Sequence, residues 1–69
     1  MKTFGENLKK LRLENNLSQK DFANKMQTSQ QRISEWECNK NEPSLYNIIK
    51  ILKIFDITFE ELVEDIEKI

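Results

Sequence analysis

Apolar residues recur at helical spacing in five stretches of the chain, and turn-forming residues separate them. Phe4, Leu8 and Leu11 make the first buried stripe, with Arg12 on its border and Lys9 and Lys10 pointing away. Thr3 and Glu6 form a T-x-x-E capping box that opens this helix, and Gly5 weakens its first turn slightly. Asn15-Asn16 ends it, because Asn tolerates the left-handed conformation. Leu17 returns the chain to the core. Ser18, with Asp21 three residues on, caps a helix of about two turns carrying Phe22, Ala23 and Met26 on one side. Ser29 caps a third helix, in which Ile33, Trp36 and Glu37 share a face. In the loop CNKNEPS, Asn39 or Asn41 can adopt positive φ, and Pro43 bars the residue before it from a helix. Ser44 then caps LYNIIKILKIF. Leu45, Ile48, Ile49, Ile51, Leu52 and Phe55 leave it few polar positions, so it is expected to be the helix most enclosed by the others. Ile54 lies off that stripe, as surface or contact area. After Asp56-Ile57, Thr58 and Glu61 repeat the capping box and start a last helix with Phe59, Leu62, Val63 and Ile66. The predicted helices cover about 4–15, 19–26, 30–37, 45–55 and 59–67.

The stretch Gln19 to Cys38 organises the rest as two short helices joined by a tight turn. At about 100° per residue, Gln30, Gln31, Ser34, Glu35 and Cys38 fall opposite Ile33 and Trp36, with Arg32 on the flank. Consecutive glutamines in a first helical turn offer paired donors and acceptors that match N6 and N7 of adenine in a major groove. Glutamine is equally an ordinary solvated helix residue, and on the local pattern alone that reading holds a narrow lead. Trp36 belongs to the core rather than to a stacking platform, since it shares a side with Ile33.

Composition narrows the function classes. Sixty-nine residues allow one small domain, 1–69, with no room for a catalytic cleft beside its scaffold. Histidine is absent, glycine occurs once, and no nucleophile stands beside a base, so the chain does not read as an enzyme. One cysteine cannot hold a metal, and no cofactor or small-molecule substrate is expected. The same lone Cys38 favours a reducing, cytoplasmic setting and is expected to be inert. No apolar run reaches membrane-spanning length. Net charge is −1, which by itself disfavours nucleic acid, but residues 1–41 carry eight basic against five acidic side chains, and residues 42–69 three against seven. A basic front and an acidic tail give an oriented field despite the near-neutral sum.

The stretch from Leu8 to Val63 resembles the phage-repressor helix-turn-helix family, the Cro- and cI-like or Xre-type DNA-binding domains. The likeness rests on Ser18-Gln19 at the opening of the motif and on the small Ala23 where two helices approach. It rests also on apolar Phe22, Met26, Ile33 and Trp36, and on the closing run from Pro43-Ser44-Leu45 to Ile57-Thr58. It implies an all-α, five-helix, lambda-repressor-like fold with the helix-turn-helix at helices two and three. It further implies base contacts from Gln30 and Gln31, with Ser34 and Glu35 further along the same groove. Phosphate contacts would come from Gln19, Ser29, Arg32, Lys40 and Ser44. Arg12 and Glu37 align with a pair that forms a partly buried salt bridge in some members, fixing the angle between helices more than it adds stability. Four positions depart from the pattern. Gln27 replaces the usual turn glycine and must take a strained φ or a reshaped turn, and Asn39 replaces a second glycine. Glu42 stands where relatives often carry a basic residue. Glu35 puts a carboxylate in the groove, where phosphates repel it unless it accepts from cytosine N4.

The resulting expectation is a transcriptional regulator, a repressor, that binds a double-stranded DNA operator as a homodimer. One recognition helix reads few base pairs, and two half-sites roughly 34 Å apart supply the rest. The expected dimer contact is the apolar surface around Ile54, Phe59, Val63, Ile66 and Ile69. The alternative is a helix-turn-helix protein-interaction module, antitoxin- or antirepressor-like, whose partner is a protein regulator and whose DNA affinity is low.

Overall fold

The computed structural model of the chain describes residues 2–66. Its helices are α1 (Phe4–Glu14), α2 (Gln19–Met26), α3 (Gln30–Glu37), α4 (Leu45–Phe55) and α5 (Phe59–Leu62). Each begins at a hydroxyl residue in extended conformation whose oxygen accepts from the backbone N–H three residues on. Thr3, Ser18, Ser29, Ser44 and Thr58 serve Glu6, Asp21, Arg32, Asn47 and Glu61 in turn. At Thr58 the box is complete, since the Glu61 side chain accepts from the Thr58 N–H. A cap of this kind stabilises a helix by about 1 kcal/mol, enough to decide where two-turn helices start.

The stops are less usual. The four longer helices each close through a left-handed residue that is not glycine: Asn16 (φ 57°), Gln27 (φ 59°), Asn39 (φ 61°) and Asp56 (φ 54°). Behind each, the next N–H reaches back five residues, as Thr28 does to the Ala23 carbonyl and Lys40 to that of Glu35. Orphan carbonyls at the helix ends are thereby satisfied.

The core is formed by Leu8, Phe22, Ala23, Met26, Ile33, Trp36, Ile51, Phe55 and Leu62. α3 lies against both α1 and α2, and α4 against α2, where the Phe22 and Phe55 rings sit 5.2 Å apart at 45°. Ala23 is buried at the approach of the motif helices, and Trp36 is 2% exposed.

Two expectations are corrected. α4 is not the most enclosed helix: only Ile51 and Phe55 are buried on it, while Leu45, Tyr46 and Ile49 are exposed. Its apolar residues run nearly all round, but only one side is covered among the described residues. The last helix ends at Leu62 rather than near 67. Asn7, buried on α1, donates through Nδ2 to the carbonyls of Leu62 (3.1 Å) and Glu64 (2.9 Å), so the Leu62 carbonyl is taken by α1 at the helix end. Asp65 turns the chain with φ 62°, and Ile66 then pairs with Lys2 in an isolated parallel bridge. Ile69, one of the expected dimer contacts, lies outside the described residues.

Candidate nucleic-acid interface

The motif is two helices joined by Gln27, Thr28 and Ser29. Gln27 occupies the left-handed turn position, and Lys50 from α4 supports it. The Lys50 Nζ donates to the Met26 carbonyl at 3.3 Å and lies 3.5 Å from Gln27 Oε1. This places a cation at the C-terminus of α2, where the helix dipole favours one. α3 is thus held from its first residue, with Ile33 and Trp36 sunk into the core. The opposite face is free: Gln30, Gln31 and Arg32 are exposed, and Ser34 and Glu35 are half-buried beside them.

Behind the motif lies a buried ionic cluster. Arg12 Nε donates to Glu37 Oε2 at 2.6 Å, and Nη2 to Oε1 at 3.2 Å, a two-pronged pair with side chains 8% and 3% exposed. Arg12 Nη1 also takes the Leu17 carbonyl at 2.8 Å. Gln19 Nε2 donates to Glu37 Oε1 at 3.1 Å, so one amide hydrogen of this half-buried side chain is committed inward. The second amide hydrogen and the helix N-terminus are what Gln19 has left for a phosphate. One carboxylate therefore ties α1, α2 and α3 together.

Around the free face the other expected site residues fall on a common rim. Ser29 and Ser44 use their oxygens as cap acceptors, which leaves each hydroxyl hydrogen to donate elsewhere. Lys40 is exposed just past α3, and a polar cleft of about 420 Å³ between α3 and the start of α4 is lined by Arg32, Glu35, Asn41, Ser44 and Asn47. The expected dimer residues lie elsewhere. Phe59 is 51% exposed, Val63 and Ile66 are half-buried beside it, and Ile54 packs in part against the core. With Leu45 and Ile48, the first three line an apolar groove of about 640 Å³.

The family model described as Helix-turn-helix matches residues 8–62 of this chain. The chain belongs to the Xre-type helix-turn-helix family. It is similar to the control protein C.MunI of Mycoplasma sp, 44% identical over 66 residues that cover 94% of this chain and 89% of the relative. It is also similar to the HTH-type transcriptional activator BcrR of Enterococcus faecalis, 36% identical over 66 residues that cover 96% of this chain. The chain spans 32% of that activator's length. Membership places it with DNA-binding transcriptional regulators, not with enzymes. No helix among the described residues is long and apolar enough to cross a membrane.

Several contacts of this helix-turn-helix protein were not read from its sequence. Gly5 is buried where α1 crosses the end of α3, and its N–H donates to Asn39 Oδ1 at 2.9 Å. Asn39 Nδ2 donates in turn to Thr3 Oγ1 at 2.9 Å. Asn41 Nδ2 donates to Glu35 Oε1 at 3.1 Å. A signal existed only for Asn7, which sits on the apolar stripe three residues after Phe4 and four before Leu11. A polar side chain on such a stripe needs a buried partner.

Proposed function

We propose that this protein is a sequence-specific, double-stranded DNA-binding regulator that acts in the cytoplasm by occupying an operator as a homodimer. The recognition helix α3 lies in the major groove with Gln30, Gln31, Ser34 and Glu35 toward base edges, while α2 crosses the backbone. Gln19, Ser29, Arg32, Lys40 and Ser44 bind phosphates around it. The observation that carries this reading is the exposed glutamine pair at the head of a helix whose other face is locked into the core. The groove bordered by Leu45, Phe59 and Val63 supplies the contact between two copies, because Leu45 and Phe59 stand exposed at its edge and a second copy would cover them. Repression follows where the bound operator overlaps a promoter.

Selection of bound duplexes from a random pool tests this directly. The expected product is a palindrome with a fixed centre. Gln30→Ala and Gln31→Ala should each cost roughly 1–3 kcal/mol of specific binding. Lys40→Ala should weaken all sequences alike and flatten the salt dependence by about one phosphate. A pool that stays random, with no salt-dependent affinity for duplex, would sink this reading in favour of a protein-interaction module.

A further inference from the structure

We propose that Asn41 is a positioning residue that aims Glu35 at a cytosine, giving each half-site a cytosine preference at one base pair. The inference rests on the DNA-binding reading above and deepens it. Glu35 lies four residues after Gln31, hence on the same face of α3 and one turn further along the groove. Left mobile there, its carboxylate would only repel phosphates.

It is not left mobile. Asn41 Nδ2 donates to Glu35 Oε1 at 3.1 Å. The loop that carries Asn41 is itself folded back. Asn39 takes the left-handed conformation with φ 61°, and the Lys40 N–H returns to the Glu35 carbonyl at 2.9 Å. Asn39 is then fixed from the far side, because its amide bridges Thr3 Oγ1 and the Gly5 N–H. The start of α1 thus sets the loop, and the loop sets the carboxylate.

With one lone pair of Oε1 taken by Asn41, the rest of the carboxylate, Oε2 foremost, is left to accept from DNA. Only cytosine N4 and adenine N6 donate into the major groove. Beside its N6, adenine presents the N7 lone pair, which repels a carboxylate, whereas cytosine presents a C–H edge. Guanine presents two acceptors to this position, and thymine an acceptor and a methyl group. The pair therefore discriminates by repulsion against three bases and attraction to one.

The test is duplex selection with the native chain, Glu35→Gln, Asn41→Ala and Asn41→Asp, together with affinity for a random duplex. The native chain should enrich cytosine at one position per half-site, about fivefold or more, as expected of a single charge-assisted bond. Glu35→Gln should abolish that enrichment while raising affinity for random duplex, since a repelling charge is gone. Asn41→Ala should blur the same position and leave those read by Gln30 and Gln31 unchanged. Asn41→Asp, which sets two carboxylates against each other, should blur it more. A helix merely destabilised by these changes would lose preference everywhere, and thermal unfolding of each variant separates that case. A native palindrome without the cytosine, one that Glu35→Gln leaves intact, or one whose cytosine stays as sharp in Asn41→Ala, overturns this proposal while the regulator reading stands. A native chain that selects nothing overturns both.

Discussion

Gly5, the chain's only glycine, serves no turn. It allows the first turn of α1 to rest on the backbone that ends α3. A methyl group there would stand 2.7 Å from the Glu37 carbonyl carbon and 2.8 Å from the Trp36 oxygen. Backbone cannot move aside as a side chain can, so Gly5→Ala should lower stability by about 1–3 kcal/mol, toward the upper end. The urea midpoint reads this directly. The opposite change is expected at Gln27, which holds φ 59° without a glycine's freedom. Gln27→Gly should raise stability by about 1 kcal/mol, less whatever the weak Lys50 contact contributes, and chemical denaturation measures the difference. Neither the role of Gly5 nor the support from Lys50 was legible beforehand. Both depend on which backbone lies across from them, and a linear pattern carries no such information.

Among elements, the Arg12–Glu37 pair joins α1 to α3 and, through Gln19, to α2. Replacing Glu37 with Ala leaves a guanidinium buried without its counter-ion, and unfolding free energy should fall by roughly 3–5 kcal/mol. Arg12→Met together with Glu37→Leu should recover most of it, since burying two ions carries its own desolvation cost. Denaturant titration of the three variants checks both claims, and recovery absent in the double variant would mean that the pair holds more than charge. Helix starts were fully readable, because a capping hydroxyl and its N–H lie three residues apart. The end of α5 was not, since the group that takes the Leu62 carbonyl, Asn7, lies 55 residues away. Nor was the exposure of α4 readable. An apolar helix announces that it wants cover, without saying whether its own chain provides it.

At the scale of the whole molecule, two surfaces differ in character. The face around Gln30 and Gln31 is polar and belongs to the basic part of the chain; that around Leu45, Phe59 and Val63 is apolar. If the second seats another copy, Phe59→Glu should push the oligomer toward monomer in sedimentation. Binding to a two-half-site duplex should then weaken far more than binding to one half-site. The sole tryptophan, Trp36, hangs from α3 into the interior, 2% exposed, on the side away from the glutamines. That arrangement makes its intrinsic emission a built-in optical gauge of whether α3 is seated. Loosening of the motif should red-shift the spectrum, so the seating of α3 can be followed in one cuvette without any added label.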